Sequence, residues 1–136
     1  MGAHRTPLEI RFRDTDRLGH VNNAVYLTYF EQGRVSFFDA LLGLEVKWNE
    51  QGLILANAQV DFLQPIHLED KIAVDISVNR IGNKSFELAY NVVKLGDAET
   101  SMARGNTVLV CFDYLKNTSI AIPASWRSAL EAFAAQ

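Results

Sequence analysis

Only one stretch of this chain carries a long helical pattern, and nearly everything apolar after it alternates with period two. Between Ala24 and Leu42, the residues Ala24, Leu27, Phe30, Val35, Phe38, Leu41 and Leu42 recur near helical spacing, and Gly43 stands where a C-cap glycine belongs. A helix over 24–42 would run to ~30 Å at about 1.5 Å per residue, enough to cross a small sheet from end to end. Such a helix has to bury its apolar stripe, and the strands that follow are the partner on offer.

Beyond the polar loop LEVKWNEQG the period changes from 3.6 to 2. Ile54, Ala56, Ala58, Val60 and Phe62 share one face of a strand that Pro65 closes, because proline cannot donate to a ladder. Ile72, Val74, Ile76 and Val78 mark a second strand, Phe86, Leu88, Tyr90 and Val92 a third, and Val108, Val110 and Phe112 a last one. Gly82-Asn83 and Gly96-Asp97 read as hairpin turns, since both pairs can supply positive φ. Upstream, LEIRFR at 8–13 alternates as a short strand would, with residues 1–7 frayed before it. In DTDRLGHVNN, Gly19 allows a tight backbone and Asn22 or Asn23 is the expected N-cap. Trp126, Leu130 and Phe133 after Pro123 predict a short helix over 124–135. The fold class is therefore α+β, an antiparallel meander around one helix. Leu55, Leu63, Leu109 and Cys111 fall on the opposite face of the strands, which is expected to be covered by another subunit or by the terminal helix.

The 136 residues fit one domain, and thirteen Lys+Arg against sixteen Asp+Glu provide no global positive field for nucleic acid. No apolar run reaches the roughly 20 residues of a membrane helix, and the opening lacks the apolar middle of a secretory signal, so a cytoplasmic protein without membrane partners is expected. Cys111 is the only cysteine, which excludes an internal disulfide and a Cys-rich zinc site. It lies within a strand and reads as a core or interface residue. Met1-Gly2 with Thr6 fits a loose myristoylation pattern short enough to recur by chance.

The run RFRDTDRLGHVNNAVYLTYFEQGR resembles the signature of hotdog-fold acyl-CoA thioesterases of the 4-hydroxybenzoyl-CoA thioesterase type, and around His20-Val21-Asn22-Asn23 it also looks like the plant acyl-carrier-protein thioesterases. VDFLQPIHLED, RIGNKSFELAY and ARGNTVLVCFD continue the similarity in family order, so it covers residues 8–125. The resemblance implies a single hotdog domain over 1–136, a homodimer or homotetramer with active sites between subunits, an acyl-CoA substrate and no cofactor. It also implies that Asp16, second of the D-x-D pair, is the catalytic carboxylate and that the backbone amide of Asn23 binds the thioester oxygen. The plant enzymes carry an asparagine where this chain has Leu18, while their histidine matches His20, so His20 is carried over as a residue that can orient the site.

Elementary chemistry supports the same grouping. A thiol with pKa near ~8.5 leaves as thiolate with little help, so a thioester needs chiefly an attacking group and a donor for the oxyanion. Asp16 precedes a helix whose first amides are unpaired and whose dipole is positive at that end. Both direct attack through a mixed anhydride and activation of water are compatible with this placement. Asp14 reads as a turn former. A metal site from Asp14, Asp16 and His20 lacks a further ligand at suitable spacing, and His4 and His67 are isolated in sequence, so no metal is expected. Coenzyme A phosphates need local cations, for which Arg80 and Lys84 around the Gly82-Asn83 turn and Arg104 are the candidates. Two rival functions share the fold: a noncatalytic acyl-CoA-binding module, in which a carboxylate beside the carbonyl is superfluous, and a hydratase or dehydratase, which needs a second acid/base group.

Overall fold

The computed structural model describes residues 2–136, so Met1 of the loose acylation pattern lies outside the described residues. Its elements are β1 (His4–Leu8), α1 (Val25–Leu42), β2 (Gln51–Phe62), β3 (Ile72–Ile81), β4 (Ser85–Lys94), β5 (Thr100–Asp113), β6 (Thr118–Ser119) and α2 (Ala124–Ala134). The strands form one antiparallel sheet in the order β1-β3-β4-β5-β2, with β6 pairing to the end of β5. The sheet curls around α1, the expected α+β architecture. Gly43 ends that helix with φ 84. No helix among the described residues is long and apolar enough to cross a membrane.

Two glycines set how closely helix and sheet approach. A Cβ on Gly33 of α1 would lie 2.7 Å from Val74 Cγ1 and 3.0 Å from Ile76 Cδ1. A Cβ on Gly105 of β5 would meet the carbonyl oxygen of Gln59 and sit 2.7 Å from the Phe30 ring. With hydrogen there instead, Phe30 lies flat on Tyr90, ring centroids 4.2 Å apart and planes 11° from parallel. The Tyr90 hydroxyl finds Thr107 Oγ1 at 2.5 Å and Arg34 Nη1 at 3.2 Å, so its burial leaves no polar atom unpaired.

Several expectations are corrected. The first strand comes earlier than 8–13. His4–Leu8 pairs with β3 as far as Leu8↔Ile72, and residues 12–14 form a 3-10 turn, closed when the Asp14 amide donates to the Arg11 carbonyl and the Asp14 carboxylate accepts from the Arg11 amide. Residues 2–7 are accordingly not a frayed lead-in, and Met1 lies outside the described residues. Gly2 is buried beside Phe133 of α2, and Pro7 is tolerated because β1 is an edge strand. Only β3-β4-β5 form a meander, since residues 63–71 carry the chain from β2 on one side of the sheet to β3 further across. The two predicted hairpin connections exist, but Gly82 and Gly96 do not use positive φ. In α1 the buried stripe is Tyr26, Tyr29, Phe30, Gly33, Phe37 and Phe38, whereas Leu27 and Val35 point outward.

Strand phase explains the rest. In β2 the register passes from Leu55↔Leu109 to Asn57↔Val108, leaving Ala56 as an extra residue. This bulge puts Ile54 and Ala58 on opposite faces despite their even spacing. In β5 the core-facing residues are Thr107, Leu109 and Cys111, and Val108, Val110 and Phe112 face the other way. Leu109 and Cys111 are therefore buried within the protomer, while Leu55 and Leu63 stay 44% and 48% exposed.

Gly105→Ala is expected to lower the free energy of unfolding by about 1–3 kcal/mol, the usual cost of overpacking a tight core, as read by chemical denaturation. A variant as stable as wild type would mean that α1 is not seated this closely.

Candidate active site

The segment from Asp14 to Asn23 is a tight hairpin-like loop leading into α1. Thr15 and Val21 form an isolated bridge, the Asp16 amide donates to the His20 carbonyl at 2.8 Å, and the Gly19 amide returns to the Asp16 carbonyl at 3.0 Å with φ 82 at the glycine. Two aspartates two residues apart thereby take opposite environments. Asp14 is 2% exposed, and its carboxylate accepts from the Tyr29 hydroxyl and the Arg11 amide, both at 2.9 Å. Burial, together with this carboxylate partner, holds the Tyr29 phenol well above the ordinary tyrosine range. Asp16 is exposed, and one carboxylate oxygen accepts from the Leu18 amide at 2.9 Å. The other oxygen has no protein partner among the described residues.

The helix start is equally specific. Ala24 flanks α1 without a side-chain cap, and the capping oxygen comes from Asn22, whose Oδ1 accepts from the Ala24 amide at 2.9 Å while its carbonyl accepts from Val25. Asn22, Ala24, Val25 and Tyr26 all have acceptors for their amides; among the described residues the Asn23 amide has none. That free donor lies at the positive end of the helix.

Asp16, Leu18, His20, Asn23 and Tyr26 line one side of a cleft of about 350 Å³, and residues 62–65 line the other. Asp16, His20 and Asn23 are thus brought together as expected. Residues 62–65 lie within the run VDFLQPIHLED but were not named for the site, because they come from the end of β2, far along the chain from the loop. Burial raises the Tyr26 phenol, with the Ile66 backbone pulling the other way. Arg104 lies on the sheet row next to Phe62↔Ala103, hence at the cleft end but on the opposite face. Arg80 and Lys84 lie around the β3-β4 turn, about seven residues or ~23 Å along the strands from that row. A single protomer does not bring them to the cleft.

His4 and His67 are not isolated in space. His4 Nε2 lies 3.0 Å from Ser36 Oγ, and the His67 ring meets the His20 ring edge-on with centroids 5.1 Å apart. The segment 65–67, far away in sequence, runs beside 20–21, with the Val21 amide donating to the Ile66 carbonyl at 2.8 Å. Asp14 turns inward and cannot converge with Asp16 and His20 on a metal; no three His, Cys, Asp or Glu side chains do so among the described residues. Burial pushes the Cys111 thiol up to about 11, which suits a core residue rather than a nucleophile.

A sheet curled on one helix, with an exposed carboxylate and a free amide at the helix start sharing a cleft, defines a hotdog domain of the thioesterase class. The chain belongs to the thioesterase-like superfamily, whose family model matches residues 10–131. It is similar to the chloroplastic acyl-acyl carrier protein thioesterase ATL3 of Arabidopsis thaliana, 29% identical over 129 residues, covering 92% of this chain and 66% of that protein. It is also similar to a 1,4-dihydroxy-2-naphthoyl-CoA hydrolase of Thermosynechococcus vestitus, 28% identical over 120 residues, covering 84% of this chain and 79% of that one. Among solved structures it matches a Thermus thermophilus thioesterase complexed with coenzyme A and Zn, with a TM-score of 0.84 and 31% identity over 97% of this chain and 94% of that one. The chain spans 66% of the length of the Arabidopsis protein and 56% of a Bacillus subtilis relative that it matches over 84 residues.

Proposed function

We propose that this protein hydrolyses an acyl thioester carried on coenzyme A, with Asp16 as nucleophile or general base and the Asn23 amide as oxyanion donor. The observation that carries the reading is the pairing, in one cleft, of a carboxylate with a free oxygen and the one amide of residues 22–26 that lacks an acceptor. A carbonyl polarised by that amide presents its carbon to the carboxylate or to a water held by it. The thiolate then leaves without a strong acid, so the scarcity of further titratable groups fits a thioester better than an amide. Coenzyme A as carrier is supported by the coenzyme A complex of the Thermus relative and by the naphthoyl-CoA hydrolase, and an acyl carrier protein by the Arabidopsis one. A cytoplasmic site of action fits a chain whose only cysteine is a free, buried thiol.

Asp16→Asn keeps size and removes basicity, so kcat should fall at least about 100-fold with substrate binding within several fold. Asp14→Asn is the control: its loss should appear as instability, because it strips the buried Tyr29 hydroxyl and Arg11 amide of a charged partner. A well-folded Asp16→Asn enzyme retaining more than about a tenth of wild-type turnover defeats the mechanism. Because His20 shares the cleft, hydration of an enoyl thioester is the second reading. Thiol release from a panel of acyl-CoA esters and acyl carrier proteins, with enoyl-CoA followed for loss of its double bond, separates the two.

The working unit is proposed to be at least a dimer. The outer side of β2 is a twelve-residue sheet edge without a partner among the described residues, and beside it Leu55, Phe62 and Leu63 are 44%, 49% and 48% exposed. Light scattering at micromolar concentration should return at least twice the 15.2 kDa chain mass; a particle of one chain mass would rule out composite sites.

For the phosphates of coenzyme A, Arg104, Arg80 and Lys84, none of which lines the cleft of its own protomer, are proposed to act at a cleft completed by a partner. Each substitution to alanine is expected to raise KM more than it lowers kcat, because a remote handle contributes mostly uniform binding. A KM unchanged in all three variants would move the nucleotide site elsewhere.

A further inference from the structure

We propose that His67 is a positioning residue that holds the imidazole of His20 against the cleft, an inference that rests on reading that cleft as the thioester site. Among the described residues the His20 ring makes no hydrogen bond, and its one aromatic neighbour is His67. The two rings stand 85° apart, edge to face, an arrangement in which the positive edge of one ring meets the π face of the other. That contact restricts the rotation of a half-buried imidazole that no hydrogen bond among the described residues fixes.

His67 is itself fixed from below. Its amide donates to Asp70 Oδ2 at 2.9 Å, the Asp70 amide returns to the His67 carbonyl at 3.0 Å, and Asp70 Oδ1 lies 3.4 Å from Lys94 Nζ at the end of β4. The Asp70 side chain is only 8% exposed, so this is an anchored turn rather than a loose surface pair. Above, the backbones of His20 and His67 form a bridge, Ile66 is fully buried, and the His20 carbonyl accepts the Asp16 amide. A continuous path thus runs from the sheet through Lys94, Asp70 and His67 to His20 and the Asp16 backbone. His67 acts by placing His20; it lies outside the residues that line the cleft.

The test uses the purified full-length protein and the acyl-CoA ester that it turns over fastest. His67→Ala should lower kcat by about tenfold with KM within about twofold, since small misplacements of a reacting group are costly. His67→Phe, which keeps the edge-to-face contact without the nitrogens, should restore kcat to within about threefold of wild type. In a His20→Ala background, His67→Ala should change kcat less than about twofold, as for two residues acting as one unit. With only three histidines in the chain, the His20 ring resonances can be followed by NMR, and they should move in His67→Ala. A fully active His67→Ala enzyme, an equal loss with and without His20, or unmoved His20 resonances each overturn the proposal. A fully active His20→Ala enzyme instead overturns the role given to His20 in the site, and the resonances still report whether His67 holds its ring.

Discussion

Phe30 can lie flat on Tyr90 only because residue 105 carries no side chain, and one turn further along α1 the absence of a Cβ at Gly33 lets Val74 and Ile76 come up against the helix backbone. The position of the helix start follows from this seat. Three aromatic residues within one turn and a half then divide the work: Tyr26 faces the cleft, Tyr29 hydrogen-bonds to Asp14, and Phe30 grips the sheet. A helix displaced outward by the width of a methyl group would carry the Asn23 amide away from residues 62–65 and pull on the loop through Tyr29. Packing and chemistry are therefore coupled through the same few side chains.

The two aspartates show how the loop assigns roles. Asp14 spends its carboxylate on a buried phenol and a backbone amide, and so turned inward it does not line the cleft. That engagement holds the 3-10 turn and sends the chain back so that the next aspartate points outward. Asp16 has one oxygen held by the Leu18 amide and the other without a protein partner among the described residues. A buried and an exposed carboxylate two residues apart are a consequence of one tight turn.

How legible the molecule was in its sequence depended on whether one face of each element was distinct. β3 and β4 were legible because Ile72, Val74, Ile76, Val78 and Phe86, Leu88, Tyr90, Val92 alternate with polar or small neighbours, and all eight are buried. β5 was not, because it is apolar on both faces; only the pairing Phe86↔Leu109 decides which face turns inward. β2 was misread through a single extra residue, Ala56, which a period-two pattern cannot announce. At the candidate site, the grouping of Asp16, His20 and Asn23 at one cleft was legible because they share one contiguous motif. Residues 62–65 and His67 were not, since they lie far along the chain and only the fold brings them beside the loop. Of the two asparagines expected as caps, Asn22 supplies a side-chain acceptor, to the Ala24 amide, and the Asn23 amide has no acceptor among the described residues.

The cleft and the unpaired sheet edge share the same residues. Phe62 and Leu63 form one wall of the cleft and are also among the apolar side chains left exposed where β2 ends. In one protomer this wall faces water, and on the proposed mechanism the ion–dipole interaction between a substrate oxyanion and the Asn23 amide would be weakened by the solvent around it. On the proposed assembly, covering the β2 edge would remove water from the same wall, strengthening that interaction without a new polar group. An edge left unpaired along twelve residues is otherwise a liability for a soluble sheet, and β2 carries neither a proline nor a lysine to blunt it. The edge and the open cleft thus lie where one cover would serve both, and on the proposed mechanism association would supply low-dielectric surroundings for the carboxylate and the amide.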